Sequence, residues 1–453
     1  MEMTSINAYT KRYDIYDLLA CCLLACSLIF ALDRVLYLDS AFSFFNFIQT
    51  ENFAISYNRY TAIIAQLPAF LLLKLGFGLE VLVYIFSLGY GLVYFFTFLL
   101  IKNTFKNKPL AIVFLLCSLL GTHHLFFGLV FETMLALSMA FLAAAVINFT
   151  FKNRANQWLS YFIILILGIF SHPLFLLLIM VFIFIHFLAT KRILWQFSLL
   201  LLILYAMKSF LFLIPNHEIN QYNNLLDLAN FKQSFMHEYM LGNAWNFYKL
   251  MAIIFTFLLI YFRKMRNKKM FWGYLCGCIV VYIILAISNS AGDAHIMLQR
   301  NFLVLNMAVL LPLAYFYNDF PQKIITTLAI PIALFLSLNT ISKTSVLYKN
   351  RRETLAKNIN TLQAVATKIA IKKSQIVSDV LLSSWALGHE SILLSTIINK
   401  KSSTITVLDT LALYTNGFIP AYGPPIAIEK MNKHYFNWDS SYYKLINKEF
   451  LLK

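Results

Sequence analysis

Apolar runs of about twenty residues, enough for a helix to span the ~30 Å hydrocarbon core of a bilayer, recur from one end of this chain to the other. They fall near 15–37, 60–76, 79–101, 109–128, 131–150, 157–172, 173–189, 193–214, 246–262, 271–290, 301–318 and 323–341. In hydrocarbon every backbone N–H and C=O must bond internally, so a chain crosses as helices or as a closed barrel. The period-two alternation of barrel strands is absent, and helices follow. With 60% of the 453 residues hydrophobic and only 13% charged, a soluble globular fold is excluded. The fold class expected is an all-α polytopic membrane bundle, followed by a small C-terminal α/β domain.

The charges set the expected topology. Net charge is +17, but the cations gather between apolar runs. Lys102, Lys106 and Lys108 form one group; Lys152 with Arg154, Lys191 with Arg192, Arg263 through Lys269, and Lys323 form others. Such clusters mark cytoplasmic loops, which removes the case for a nucleic-acid partner. Lys11 and Arg12 hold the N-terminus inside. Two runs separate the first outer loop from the basic loop at 102–108, so one of them does not cross. The run 60–76 is short, contains Pro68 and Lys74, and ends in Gly76-Phe77-Gly78. It reads as a re-entrant or juxtamembrane helix, leaving about 11 crossings with the C-terminus outside.

All six cysteines lie within apolar runs and read as small hydrophobes rather than disulfide partners or metal ligands. Leu-Leu-Ala-Cys at 18–21 and 23–26 resembles a lipoprotein box, but Asp14 and Asp17 precede it, so the first helix is expected to stay uncleaved. Beyond 341 the composition changes. Lys343 to Ala370 reads as an amphipathic helix, Gln375–Leu382 and Thr404–Leu408 as strands, and 385–399 as a helix. A transmembrane domain, 1–342, would thus precede an extracytoplasmic α/β domain, 343–453.

With this topology the polar residues collect on the outer face. The first outer loop carries Asp33, Asp39, Glu51 and Arg59, the second His123, His124 and Glu132, and a tight third turn is Ser171-His172-Pro173. The insert 215–245 adds His217, Glu218, His237 and Glu238, and the last loop Asp293, His295 and Arg300. Asp33 and Arg34 read as interfacial anchors, His123-His124 as an interfacial pair or ligand contacts, and His172 as a turn cap or functional group. The His-Glu pairs at 217–218 and 237–238 match no zinc spacing, so no metal is indicated, with a divalent ion left open, and no cofactor is expected. The aromatic run Phe42–Phe47 reads as lipid-facing or core. Asp39 and Glu132 each stand alone in an apolar setting, where burial favours the protonated acid and suits a general base.

Leu38-Asp39-Ser40-Ala41 just after the first helix, Glu132 in Phe131-Glu132-Thr133-Met134 at the start of a later one, and Ser171-His172-Pro173 together resemble the GT-C superfamily of membrane glycosyltransferases. The likeness is to the protein mannosyltransferase and aminoarabinose transferase branch; Asp39 is a single acid where many members have two. The resemblance implies an integral protein of the bacterial inner membrane. It would move a sugar from a polyprenyl-phosphate carrier to a lipid, glycan or protein acceptor. Asp39 would act as base and Arg59 or Arg300 would grip the phosphate, arginine being preferred for its bidentate fork. Glu132 and His172 would orient the reactants. Two other readings stand beside this one: a lipid-linked glycan flippase or other transporter, and a non-catalytic assembly protein.

Overall fold

The computed structural model describes residues 14–129, 132–212, 219, 223, 231, 234, 237, 245–265, 267–288, 295–317, 329–364, 367–372, 386–408, 421–422, 434–437 and 444–446. Helices dominate. In chain order they are α1 (Ile15–Ile29), α2 (Ala31–Val35), α3 (Leu38–Thr50), α4 (Ala62–Lys74), α5 (Leu79–Leu99), α6 (Lys108–Leu119), α7 (Thr133–Ile147), α8 (Arg154–Ile169), α9 (Leu174–Thr190) and α10 (Trp195–Leu211). After these come α11 (Trp245–Lys264), α12 (Lys268–Ser288), α13 (His295–Tyr315) and α14 (Ile330–Gln363). Among the described residues three helical stretches are long and apolar enough to cross a membrane: Leu79–Thr104, Lys268–Ser288 and Ile330–Gln363. Large apolar side chains also face outward, among them Leu202, Phe210, Leu211, Ile260 and Phe335. A surface of this kind is stable against lipid and a liability in water.

Local chemistry explains where the helices start. Asp14 caps α1 in a reciprocal box with Asp17. The same two acids bind Lys102, and Asp14 also holds Lys108, tying the start of α1 to the end of α5 and the start of α6. Asn107 and Asn153 cap α6 and α8 through their side-chain oxygens.

Several runs are shorter helices than the hydropathy pattern predicts. The expected crossing 15–37 breaks at Phe30: α1 has 15 residues, about 22 Å of helix, and the chain turns into α2 and α3. The run 109–128 stops at Leu119, where Leu120 becomes extended and Gly121 takes φ +68°; a short 3-10 turn, Leu125–Phe127, follows. Apolar character persists through both breaks because the residues after them are buried in protein instead of continuing a helix. The run at 60–76 forms α4, with 13 residues, or about 20 Å. Thr61, just before it, donates its hydroxyl to Leu167 O and its amide to Phe170 O, while Lys74 at its end faces Glu51. The start of α4 is thus tied to the end of α8, and its last residue to the end of α3.

The interior is filled mainly by α6, α7 and α13, whose side chains are buried along nearly their whole described length. Close approach matters at Gly89 of α5: a Cβ there would sit 1.9 Å from Ala65 O. The α4–α5 contact thus depends on having no side chain at that position.

After α14 the described residues form a four-stranded sheet of order β3-β2-β1-β4, with β1 Lys368–Lys372, β2 Thr404–Leu408, β3 Ala421–Tyr422 and β4 Lys444–Ile446. β1 pairs in parallel with β2 and β4, and β2 antiparallel with β3. Parallel neighbours need a crossover, supplied between β1 and β2 by helix α15 (Leu387–Asn399). Strand 404–408 and the helix near 385–399 match the sequence reading. Residues 368–370 differ: in place of the end of an amphipathic helix they begin β1. The predicted strand 375–382 lies outside the described residues. The composition change at 343 falls within an unbroken 34-residue helix, α14, so the two halves of the molecule share one rod.

Candidate functional site

Asp39 lies in the first turn of α3. The turn opens on Leu38 in the left-handed region, φ +47°, an uncommon conformation for a residue with a branched side chain. Glu132 is the N-cap residue of α7, but its carboxylate caps nothing. Instead it accepts from Arg59 Nη1 at 2.7 Å, and the residue is 3% exposed. Arg59 is delivered by a turn in which Tyr57 and Asn58 both have positive φ, and its guanidinium lies over the Tyr57 ring. Arg300 stands near the start of α13, with its Nε buried and without a hydrogen-bond partner among the described residues.

Electrostatics tie these four together. Arg300 interacts through charge with Arg59, Asp39 and Glu132. Burial holds the Glu132 carboxyl above its ordinary range; Arg59 opposes that shift and the charge of Asp39 adds to it. Two guanidinium groups and two carboxylates therefore lie within electrostatic range of one another, with Arg59 and Glu132 in direct contact. Arg59 is the ion-pair partner of Glu132, while Asp39 and Arg300 share the same electrostatic neighbourhood.

The other candidates have defined places around this centre. Gln299 Oε1 accepts from the amides of His124 and Leu125, and its Nε2 contacts His123. His124 Nδ1 bonds the Tyr348 hydroxyl of α14 at 3.1 Å. The histidine pair thus forms a buried turn joining α13 and α14, rather than the interfacial pair of the sequence reading. His172 Nδ1 accepts from Leu174 N at 3.1 Å, the turn-capping role, within the third turn that also receives the Thr61 bonds.

Asp33 and Arg34 are not interfacial anchors. Asp33 faces Arg352 of α14 at 3.1 Å. Arg34 is 1% exposed and is solvated by carbonyls: Nε donates to Phe126 O, and Nη1 to Ser87 O, Ser87 Oγ and Ser27 O. Ser27 lies in the last turn of α1 and Phe126 in the 3-10 turn, while Ser87, within α5, adds its hydroxyl; together they take the place of water. The Phe42–Phe47 segment is core: Phe44 and Phe47 pack on Phe86 of α5, while Phe42 and Phe45 meet His389 of α15. Among the described residues no group of three potential metal ligands converges. His237 bonds the Tyr282 hydroxyl, and positions 217, 218, 238 and 293 lie outside the described residues.

Sequence reasoning missed Gln299, Tyr348, Arg351 and Glu390. Each is separated from its partner by a long stretch of chain, and no local spacing could have signalled the contacts. Comparison of the chain with family models, with curated proteins and with solved structures finds no match.

Proposed function

We propose that this chain is a multi-pass membrane glycosyltransferase that moves a sugar from a polyprenyl-phosphate carrier to a hydroxyl acceptor on a lipid, glycan or protein. The observation that carries this reading is the buried Arg59–Glu132 pair with Asp39 and Arg300 within its electrostatic range. Transfer makes a bond from the acceptor oxygen to the anomeric carbon and breaks the bond from that carbon to the phosphate oxygen. The electron pair leaves with the phosphate, and the acceptor proton goes to Asp39. Arg300 stabilises the departing charge, and Arg59, held by Glu132, adds a second positive charge beside it. The proposed setting has about 11 crossings, the N-terminus inside and the catalytic end outside, in the bacterial inner membrane. It is supported by the Asp14–Lys102–Lys108 cluster at the end of the bundle away from Asp39.

The test uses purified full-length protein in lipid discs with short synthetic polyprenyl-phosphate sugars and mixed hydroxyl acceptors. Sugar transfer that is lost on Arg300→Met is the expected result. Absence of transfer, together with movement of the same lipids between leaflets of reconstituted vesicles, would replace the enzyme reading by the transporter one.

A further inference from the structure

The Asp39 turn is held from a distant part of the chain. Glu390, in the first turn of α15, is fully buried at 0% exposure. Its Oε1 accepts from the Leu38 amide at 2.8 Å, and its other oxygen is bound by Arg351 Nη2 of α14. Leu38 is the residue immediately before Asp39 and the one with the left-handed backbone. Without a partner its amide is one of the first N–H groups of a helix, which no carbonyl of that helix can satisfy. The Tyr37 side chain does not cap α3, so this distant carboxylate supplies the bond.

Arg351 is itself fixed on two sides. Its guanidinium lies 4.8 Å over the Tyr37 ring, and Tyr37 meets Tyr348 edge-on at 5.0 Å. Tyr348 is the residue whose hydroxyl bonds His124, beside Gln299 and Arg300. One face of α14 thus connects the first turn of α3 with the start of α13. These are the elements that carry Asp39 and Arg300.

Resting on the catalytic reading above, we infer that Glu390 is a positioning residue: it fixes the backbone turn that aims the Asp39 carboxylate. Docking alone does not require it. The α15–α3 contact already has Phe42 and Phe45 against His389, and Phe45 against Phe436. Apolar side chains in place of both Glu390 and Arg351 would fill the same space without desolvating a charge. What the carboxylate adds is a directed bond to one amide, next to the acid that needs fixed geometry.

The experiment compares full-length wild type, Glu390→Gln and Glu390→Ala in lipid discs by amide hydrogen exchange and by transfer kinetics. Glu390→Gln retains an acceptor for Leu38. It should preserve slow exchange over residues 37–42 and most of kcat. Glu390→Ala should speed exchange in that segment while leaving α6 and α15 protected. Its kcat should fall about 10²-fold, the scale of an ångström-level misplacement, with KM for the lipid donor nearly unchanged. Unaltered exchange over 37–42 in Glu390→Ala would overturn the inference. So would loss of protection throughout α15 in both variants, which would make Glu390 a docking group only. If wild type transfers no sugar, the catalytic reading fails, and the exchange comparison still decides whether Glu390 holds the turn.

Discussion

At the scale of single residues the centre is a charge arrangement whose members have unequal freedom. Asp39→Asn preserves shape and removes the proton acceptor. A positioned base contributes about 10²–10⁴-fold in rate, so transfer should fall by that order while thermal stability stays near wild type. Arg59→Met has the opposite profile. It strands the buried Glu132 carboxylate, and breaking a buried pair costs about 3–5 kcal/mol. The pH dependence of that loss has a defined sign. Glu132 is already held above its ordinary value of 4.5 by burial, and without Arg59 it rises further. A carboxyl whose folded value lies above the unfolded one takes up a proton on folding, so the penalty is absent below about pH 4.5 and grows as pH rises. Thermal unfolding of Arg59→Met should therefore fall furthest below wild type at alkaline pH, and Arg59→Met/Glu132→Gln should recover much of the difference.

At the scale of elements, two long-range contacts decide how helices meet. Gln299 gives α13 its hold on the His124-Leu125 turn. Gln299→Ala leaves two buried amides without an acceptor, a cost of about 1–3 kcal/mol each, to be read as a lower melting temperature with faster exchange at 123–126. Helix α15 meets α3 through His389, which sits between Phe42 and Phe45 with its Nδ1 unbonded among the described residues. Burial pushes the His389 imidazole down to about 4. The folded state thus keeps it neutral where the unfolded state, near 6.5, binds a proton. The resulting stability is fully present above about pH 6.5 and is lost as pH falls toward about 4, by roughly 3 kcal/mol in total. Exchange protection of α15 should weaken across that window, and His389→Phe should flatten the dependence. Protection that stays constant from pH 7 to 4 in wild type would count against the buried neutral imidazole.

At the scale of the whole molecule, the polar clusters lie at opposite ends of the bundle, with Lys102 at one end and Asp39 and α15 at the other. Single cysteines replacing Asn103 and Lys401, both exposed, should label from opposite sides of sealed vesicles. Labelling of both from one side would refute the arrangement. The helical, membrane-facing character of the chain was legible in the sequence, because apolar runs and basic clusters report directly on solvent and period. So was the strand at 404–408, where polar and apolar β-branched residues alternate within a short run. The breaks at Phe30 and Leu119 were not legible, since hydropathy is blind to whether an apolar residue meets lipid or protein. Nor was the environment of Arg34, which depends on carbonyl groups from three parts of the chain. Asp39, Glu132, Arg59 and Arg300 could be named from residue type and position along the chain. That they share one electrostatic centre, and that Glu390 grips the amide beside Asp39 across more than three hundred residues, was decided by tertiary packing alone. Contacts at that separation leave no local spacing to read; they exist only once α14 has carried α15 back onto α3.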